Sequence, residues 1–410
     1  MSEPAAGQAA IIAVGTELTA DGRPETNGTI ITRALAPLGY EVAWRVATPD
    51  DESSLAHALS DAAARFELVV VTGGLGPTVD DVTREAVARA FGVALRHDER
   101  VFASIRARYE HYGRPVPVTA ARQAQVPEGA EVLENDAGTA PGLLLRRAGS
   151  IVALLPGVPH EMERMLERRL LPRLPAAGGR PAVVRLLKVS GLSESDVQSA
   201  VIDLFAKGAA SDPALTLLTS PGEVTVVVRG RGAADVERVF AESRRRLGAH
   251  VFTEDPRAGL ETAAAELLAA RGWTVATAES CTGGLLGATL TRVPGSSAWF
   301  RQGWITYSNE AKIALLGVEP GLIERHGAVS AEVADAMAGG ARRLAGTDVA
   351  LSITGIAGPD GGTAGKPVGL VYLSMATAAL TRSTRHHFPG DRDNIRLFAV
   401  RTALNRLRLA

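Results

Sequence analysis

Residues 295–312, G-S-S-A-W-F-R-Q-G-W-I-T-Y-S-N-E-A-K, bring Ser296, Ser297, Tyr307 and Lys312 into one short stretch without a histidine. A serine hydroxyl is inert as a nucleophile until a base takes its proton. Where histidine is absent, a lysine whose pKa is lowered by burial or by a neighbouring cation can serve, with a tyrosine hydroxyl to relay the proton. The same stretch also reads as a Gly-Ser turn, an aromatic-rich strand and an exposed helix. The interval from Tyr307 to Lys312 is not the Y-x-x-x-K of short-chain dehydrogenases, which disfavours nicotinamide redox chemistry.

Three glycine-rich loops offer a different chemistry. T-G-G-L-G-P-T-V-D-D-V-T-R-E-A, residues 72–86, follows an apolar strand; Gly73, Gly74 and Gly76 would let backbone N–H groups approach an anion, with a helix N-terminus behind them. Asp80 and Asp81 there either cap the helix or hold a divalent cation against a phosphate. E-S-C-T-G-G, residues 279–284, and G-I-A-G-P-D-G-G, residues 355–362, also follow predicted strands, and the first runs into a helix whose N-terminus would suit a phosphate.

The elements that position these groups alternate. From residue 8 the chain reads strand, helix, strand, helix, strand, which predicts an α/β domain with a doubly wound parallel sheet over residues 1–175. P-A-A-G-G-R-P, residues 175–181, is a linker. Residues 181–253 read strand, helix, two strands, helix, strand, a small α+β module whose order is KH-like but which lacks the G-x-x-G clamp of nucleic-acid binders. A second α/β domain is expected over 258–410, closed by a helix with a basic face that is read as solvated.

With G-T-E-L (15–18), E-T-N (25–27), G-T-A-P-G (138–142) and L-P-G-V-P (155–159), the first glycine loop resembles the MoaB/MogA type of molybdopterin-binding domain, especially the form found in the CinA (competence/damage-inducible) family. A-E-S-C-T-G-G, G-S-S-A-W-F, Y-S-N-E-A-K, G-A-V-S, G-I-A-G-P-D-G-G, K-P-V-G and G-D-R-D resemble the PncC-type nicotinamide mononucleotide (NMN) deamidase that forms the C-terminal domain of that family. The resemblance implies an enzyme of pyridine-nucleotide recycling. One domain would deamidate NMN without a cofactor. The other would split ADP-ribose with a divalent metal ion, alone or with a monovalent cation. It implies Ser297 as nucleophile, with Ser296 its neighbouring rival, and Tyr307 and Lys312 as the activating pair. Ser280, Thr282 and Gly283 would contact phosphate or ribose, although Ser280 could equally cap a helix. Thr354 and the N–H groups of Gly355 to Gly358 would hold the substrate or its oxyanion, and Arg392 and Arg396 would meet the phosphate or lie on the surface. In the first domain, Asn27, Gly73, Gly74, Gly76, Thr78 and Gly157 would bind substrate, and Asp80, Asp81 and Glu17 the metal. The family commonly has an aspartate where this chain has Glu25, one methylene longer. The family implies a homodimer.

Charge and cysteine content narrow the classes. Forty-four basic against forty-five acidic side chains leave a net charge of -1, so no overall bias draws the chain to nucleic acid or anionic lipid. That disfavours the DNA-binding, competence-accessory reading of the family name; a molybdopterin-handling protein is the other alternative, suggested by fold alone. The lone Cys281 excludes an intrachain disulfide framework, and with no histidine paired to it, it reads as a buried thiol. The start of the chain lacks the charged and apolar sections of a signal peptide and no apolar run reaches a membrane-spanning length, so a cytoplasmic protein with no membrane partner is expected.

Overall fold

The computed structural model describes residues 5–147, 149–177, 183–205 and 212–410. It divides into two compact units, Met1–Val183 and Val184–Ala410. Most of the expected 175–181 linker, and residue 181 at which the middle module was expected to begin, lie outside the described residues.

The first unit is built on strands β1 (Ala5–Val14), β2 (Glu41–Thr48), β3 (Phe66–Thr72), β4 (Leu95–His97), β5 (Gln125–Pro127), β6 (Glu131–Leu133), β7 (Gly142–Arg147) and β8 (Ser150–Leu155). The main sheet has the order β2-β1-β3-β8-β7-β6; β2, β1, β3 and β8 are parallel, and β7 and β6 complete it as antiparallel strands. β4 and β5 form a separate ribbon. F-E-L-V-V-V-T in β3 is buried at every position but Glu67, because helices cover both faces of a parallel sheet. Asp51 starts one covering helix, Glu52–Arg65, by accepting the Ser54 N–H at 2.7 Å. The parallel strands β1, β3 and β8 end on one edge, and the loops there enclose a cavity of about 610 Å³.

The second unit holds two sheets. Strands β9 (Val183–Val189), β10 (Ala214–Ser220), β11 (Glu223–Gly230) and β12 (Val251–Thr253) lie in the order β10-β11-β9-β12. Read as KH-like from the sequence, the module in space has the sheet order of a split βαβ unit, with its last strand beside its first. The other sheet, β13 (Val275–Glu279), β14 (Phe300–Ile305), β15 (Val349–Gly355), β16 (Leu370–Ala376) and β17 (Thr381–His387), has the order β14-β13-β15-β16-β17. β14, β13 and β15 are parallel; β16 and β17 are antiparallel additions.

The final helix, Arg392–Arg408, ties the two sheets together, and its basic face is not simply solvated. Arg401 donates to Ser220 Oγ at 2.7 Å and to the Pro221 carbonyl at 2.8 Å, Arg408 to the Ala249 carbonyl at 2.8 Å, and Arg406 to the Leu373 carbonyl at 3.1 Å. Among the described residues no helix is long and apolar enough to cross a membrane.

Candidate active sites

In the second unit, parallel pairing sets Glu279 at the end of β13 beside Ile305 on one side and Ile353 on the other. The residues that follow these strands therefore share one edge of the sheet. Ser280 leaves β13 there, its N–H held by the Ile353 carbonyl at 2.9 Å. Beside β14, Ser308 accepts the Ala311 N–H at 3.1 Å and so starts the helix Asn309–Leu316. That helix carries Lys312 back under the edge. Lys312 is 1% exposed and Ser280 9%. Lys312 Nζ lies 3.1 Å from Ser280 Oγ, 2.9 Å from the Thr306 carbonyl, and 3.4 and 3.5 Å from the carbonyls of Tyr307 and Ser308. Burial pushes the amine below the ordinary lysine range. A neutral amine has two N–H donors and one lone pair. In the ammonium form Nζ donates to Ser280 Oγ, and on losing a proton it would keep two N–H donors for the carbonyls and turn its lone pair to the Ser280 O–H.

Around this pair stand polar groups from three elements. Arg392 donates to the Tyr307 hydroxyl at 3.0 Å and to the Gly358 carbonyl at 2.7 Å. Arg396, one helical turn on, donates to the Thr282 carbonyl at 2.9 Å. Thr282 Oγ1 and Arg396 Nε are buried without a partner. Glu279, 1% exposed, accepts the N–H groups of Gly284, Leu286 and Gly287 at 3.1, 2.9 and 2.8 Å. It thereby fixes the turn that carries Ser280.

The first unit presents a cavity ringed by carboxylates and closed by the glycine loop. Gly73 has φ 109° and a Cβ there would meet the Val14 carbonyl oxygen at 2.4 Å, so only glycine fits. Asp81 accepts the N–H groups of Gly76 and Thr78 at 2.7 and 2.8 Å. Beneath the loop, Arg84 is 1% exposed and donates to the carbonyls of Leu75 and Gly76. Desolvation lowers its guanidinium to about 10, still cationic at neutral pH. The loop carbonyls thus turn toward a buried cation. Asn27 donates to Thr72 Oγ1 at 2.9 Å and to the Gly157 carbonyl at 2.8 Å, fastening the starts of two loops.

Comparison with known proteins places both halves. Residues 257–410 match the family described as "CinA C-terminal domain" and residues 10–176 that described as "Probable molybdopterin binding domain". A CinA-like protein of Geobacter sp. (strain M21) is 43% identical over 408 residues, covering 96% of this chain and 95% of that one. Another, from Solibacter usitatus, is 42% identical over 407 residues, covering 98% and 97%. The chain belongs to the CinA family. Among solved structures, a competence/damage-inducible protein of Agrobacterium tumefaciens is 42% identical with a TM-score of 0.36, covering 37% of this chain and 94% of that one.

Within this CinA-family chain the structure brings together Ser280, Lys312, Tyr307, Arg392 and Arg396, but not Ser297. Ser296 and Ser297 form a turn before β14, and Trp299 beside them accepts the N–H of Val275, the first residue of β13. Ser280 lies five residues further along at the other edge, about 16 Å at the rise of a strand. Tyr307 is 60% exposed; its phenol is held by Arg392, and only its backbone carbonyl reaches Lys312. The helix after E-S-C-T-G-G is not available to a phosphate, because Glu279 occupies its N–H groups. Gly283 serves the turn, with φ 59° and its N–H on the Ser280 carbonyl. Thr354 spends its hydroxyl proton on the Ala328 carbonyl at 2.8 Å. The Ile356 N–H is spent on Leu370, and Gly355 is needed for close approach, since a Cβ would lie 2.7 Å from Val371 Cγ2. Cys281 is buried with its thiol pushed up to about 12, chiefly by desolvation, which holds it as the un-ionised thiol at neutral pH.

The expected metal set of the first unit does not converge. Among the described residues no three carboxylate, histidine or cysteine side chains could hold a metal ion. Asp81 and Thr78 are committed to the loop. Glu17 folds over Gly15, with its carboxylate 2.6 Å from where a Cβ would stand, and Asp80 is exposed. Neither aspartate caps the following helix, which starts at Thr83 with Val82 before it. Glu25 accepts the Gly28 N–H at 2.7 Å and pairs with Arg45 at 2.6 Å, so the longer carboxylate is anchored to the wall.

Proposed function

We propose that this chain is a hydrolase of two nucleotide substrates: its C-terminal domain converts NMN to nicotinate mononucleotide and ammonia, and its N-terminal domain splits ADP-ribose to AMP and ribose 5-phosphate. The approach of Ser280 Oγ to the buried Lys312 Nζ, 3.1 Å, carries the first activity. Ser280 adds to the carboxamide carbon as its proton passes to Lys312. The ammonium then protonates the departing nitrogen, releasing ammonia and leaving an ester on Ser280. Water adds to the ester, Lys312 again takes and returns the proton, and the acid leaves as its carboxylate. A lysine lowered by burial suits both roles, since it can accept a proton and give it back. Arg392 and Arg396 on the same edge offer the cations that a 5′-phosphate would need.

For the second activity, the glycine loop over buried Arg84 and the 610 Å³ cavity beside it support a diphosphate-bearing ligand. The resemblance to the family supplies the identity of both substrates. Ammonia release from NMN by the full chain tests the first reading. Ser280→Ala should abolish turnover while NMN still binds, because the hydroxyl makes the bond and the phosphate is held elsewhere. Turnover by that variant at the rate of the unaltered chain would remove Ser280 as nucleophile.

A further inference from the structure

A cavity that takes a diphosphate must offset its negative charge, and the glycine loop of the first unit has few donors left for that. The Gly73 N–H is on the Leu155 carbonyl at 3.0 Å, and those of Gly76 and Thr78 are on Asp81 at 2.7 and 2.8 Å. Arg84 lies beneath the loop on its carbonyls and is 1% exposed, so it cannot touch a ligand. Among the described residues the cavity lining carries six carboxylates and a single cation, Arg23.

Arg23 is exposed, and among the described residues no group accepts from its guanidinium. The acids around it are engaged elsewhere: Glu25 with the Gly28 N–H and Arg45, Asp50 with the Thr16 N–H at 2.7 Å, and Glu161 with the Asn135 amide at 2.7 Å. The backbone that carries Arg23 is fixed. Gly22 turns the chain with φ 69°, the Arg23 N–H donates to the Glu17 carbonyl at 3.0 Å, and Pro24 restricts the residue before it to extended backbone. Ala13 near the end of β1 pairs with Thr72 at the end of β3, so the segment that follows β1 and the glycine loop that follows β3 stand side by side at the cavity.

We propose that Arg23 is the anion-recognition residue of this cavity: its guanidinium binds phosphate oxygens of the ligand beside the glycine loop and makes the cavity select phosphorylated ligands over those without phosphate. This rests on the reading of the cavity as a diphosphate site. A guanidinium stays charged at every working pH and offers two parallel N–H donors to one phosphate. Its worth lies between that of an exposed ion pair and a desolvated one, about 5- to 30-fold in affinity.

Calorimetry on the full chain without divalent metal tests it, with ADP as the probe that carries a diphosphate and adenosine as the one that does not. The unaltered chain should bind ADP more tightly than adenosine. Arg23→Gln should weaken ADP about 5- to 30-fold and leave adenosine within about twofold, and Arg23→Lys should recover part of the loss by restoring the charge without the fork. The gap between the unaltered and Gln proteins should narrow as NaCl rises from about 0.05 to 0.5 M, because salt screens an exposed contact. Equal binding of ADP by the unaltered and Gln proteins overturns the role of Arg23 and leaves the cavity as a diphosphate site. Loss of ADP and adenosine by one common factor overturns it too, since Arg23 would then only shape its loop. An unaltered chain that binds neither probe, or both alike, removes the diphosphate reading and this proposal with it.

Discussion

Lys312→Met isolates the base. Methionine has nearly the length of the lysine chain and fills the same buried space, but offers no amine to Ser280 or to the three carbonyls around Nζ. A positioned base contributes about 10²–10⁴ in rate, equivalent to about 3–5 kcal/mol of barrier, and kcat for NMN deamidation should fall within that range with KM little changed. Loss of the donor to the Thr306 carbonyl, at 2.9 Å, costs about 1–3 kcal/mol of stability, offset in part because no ammonium need then be desolvated. The pH dependence gives the sign. Burial holds the folded amine below its ordinary value of 10.5, and only the neutral amine is a base, so the rate should rise with pH through the lowered pKa and then level. Across the window between that pKa and 10.5 the unfolded chain binds more protons, so stability gains with rising pH. Both slopes should be missing from Lys312→Met. Steady-state ammonia release from pH 6 to 10, with urea unfolding over the same range, reads them. A variant that keeps kcat and raises only KM would show that the amine merely holds substrate and would refute the general-base role.

Ser297→Ala should leave ammonia release within about twofold, since its hydroxyl sits at the opposite edge of the sheet from Lys312; a dead Ser297→Ala would bring that serine from a second copy of the chain. Glu279→Gln should lower stability by about 2–4 kcal/mol in urea titration, because one amide oxygen replaces a carboxylate that accepts three backbone N–H groups; an unchanged midpoint would mean that the turn is held by something else. Iodoacetamide at pH 8 should leave deamidation intact, since a thiol raised to about 12 is thiolate in only about one molecule in 10⁴. Rapid inactivation that tracks alkylation of Cys281 would reverse this.

The two α/β sheets were legible because apolar runs and the glycine loops that end them are local signals. The partner of Lys312 was not read, although a signal existed. In parallel strands, residues that follow the strands share an edge and residues that precede them share the other. Ser280 follows β13, whereas Ser296 and Ser297 precede β14, so of these three serines only Ser280 can meet Lys312 on the helix that comes after β14. Arg84 had no such signal. T-R-E-A-V-A-R reads as the exposed first turn of a helix, and its burial beneath the loop depends on tertiary packing alone.

In both units a carboxylate holds a glycine loop for the same reason. At the edge of an α/β sheet, a tight turn leaves backbone N–H groups without partners, and an acidic side chain is the strongest neutral-pH acceptor for them. Asp81 takes two such groups and Glu279 three, so each of these acids beside a glycine loop holds the loop and not a ligand. Positive charge for a phosphate must then come from side chains. The cations stand accordingly: Arg84 and Arg122 bind loop carbonyls in the first unit, and Arg392 and Arg396 do the same in the second. In each unit, then, acid and base around the loop divide the work: the carboxylate holds backbone N–H groups of the loop and the arginines hold its carbonyls.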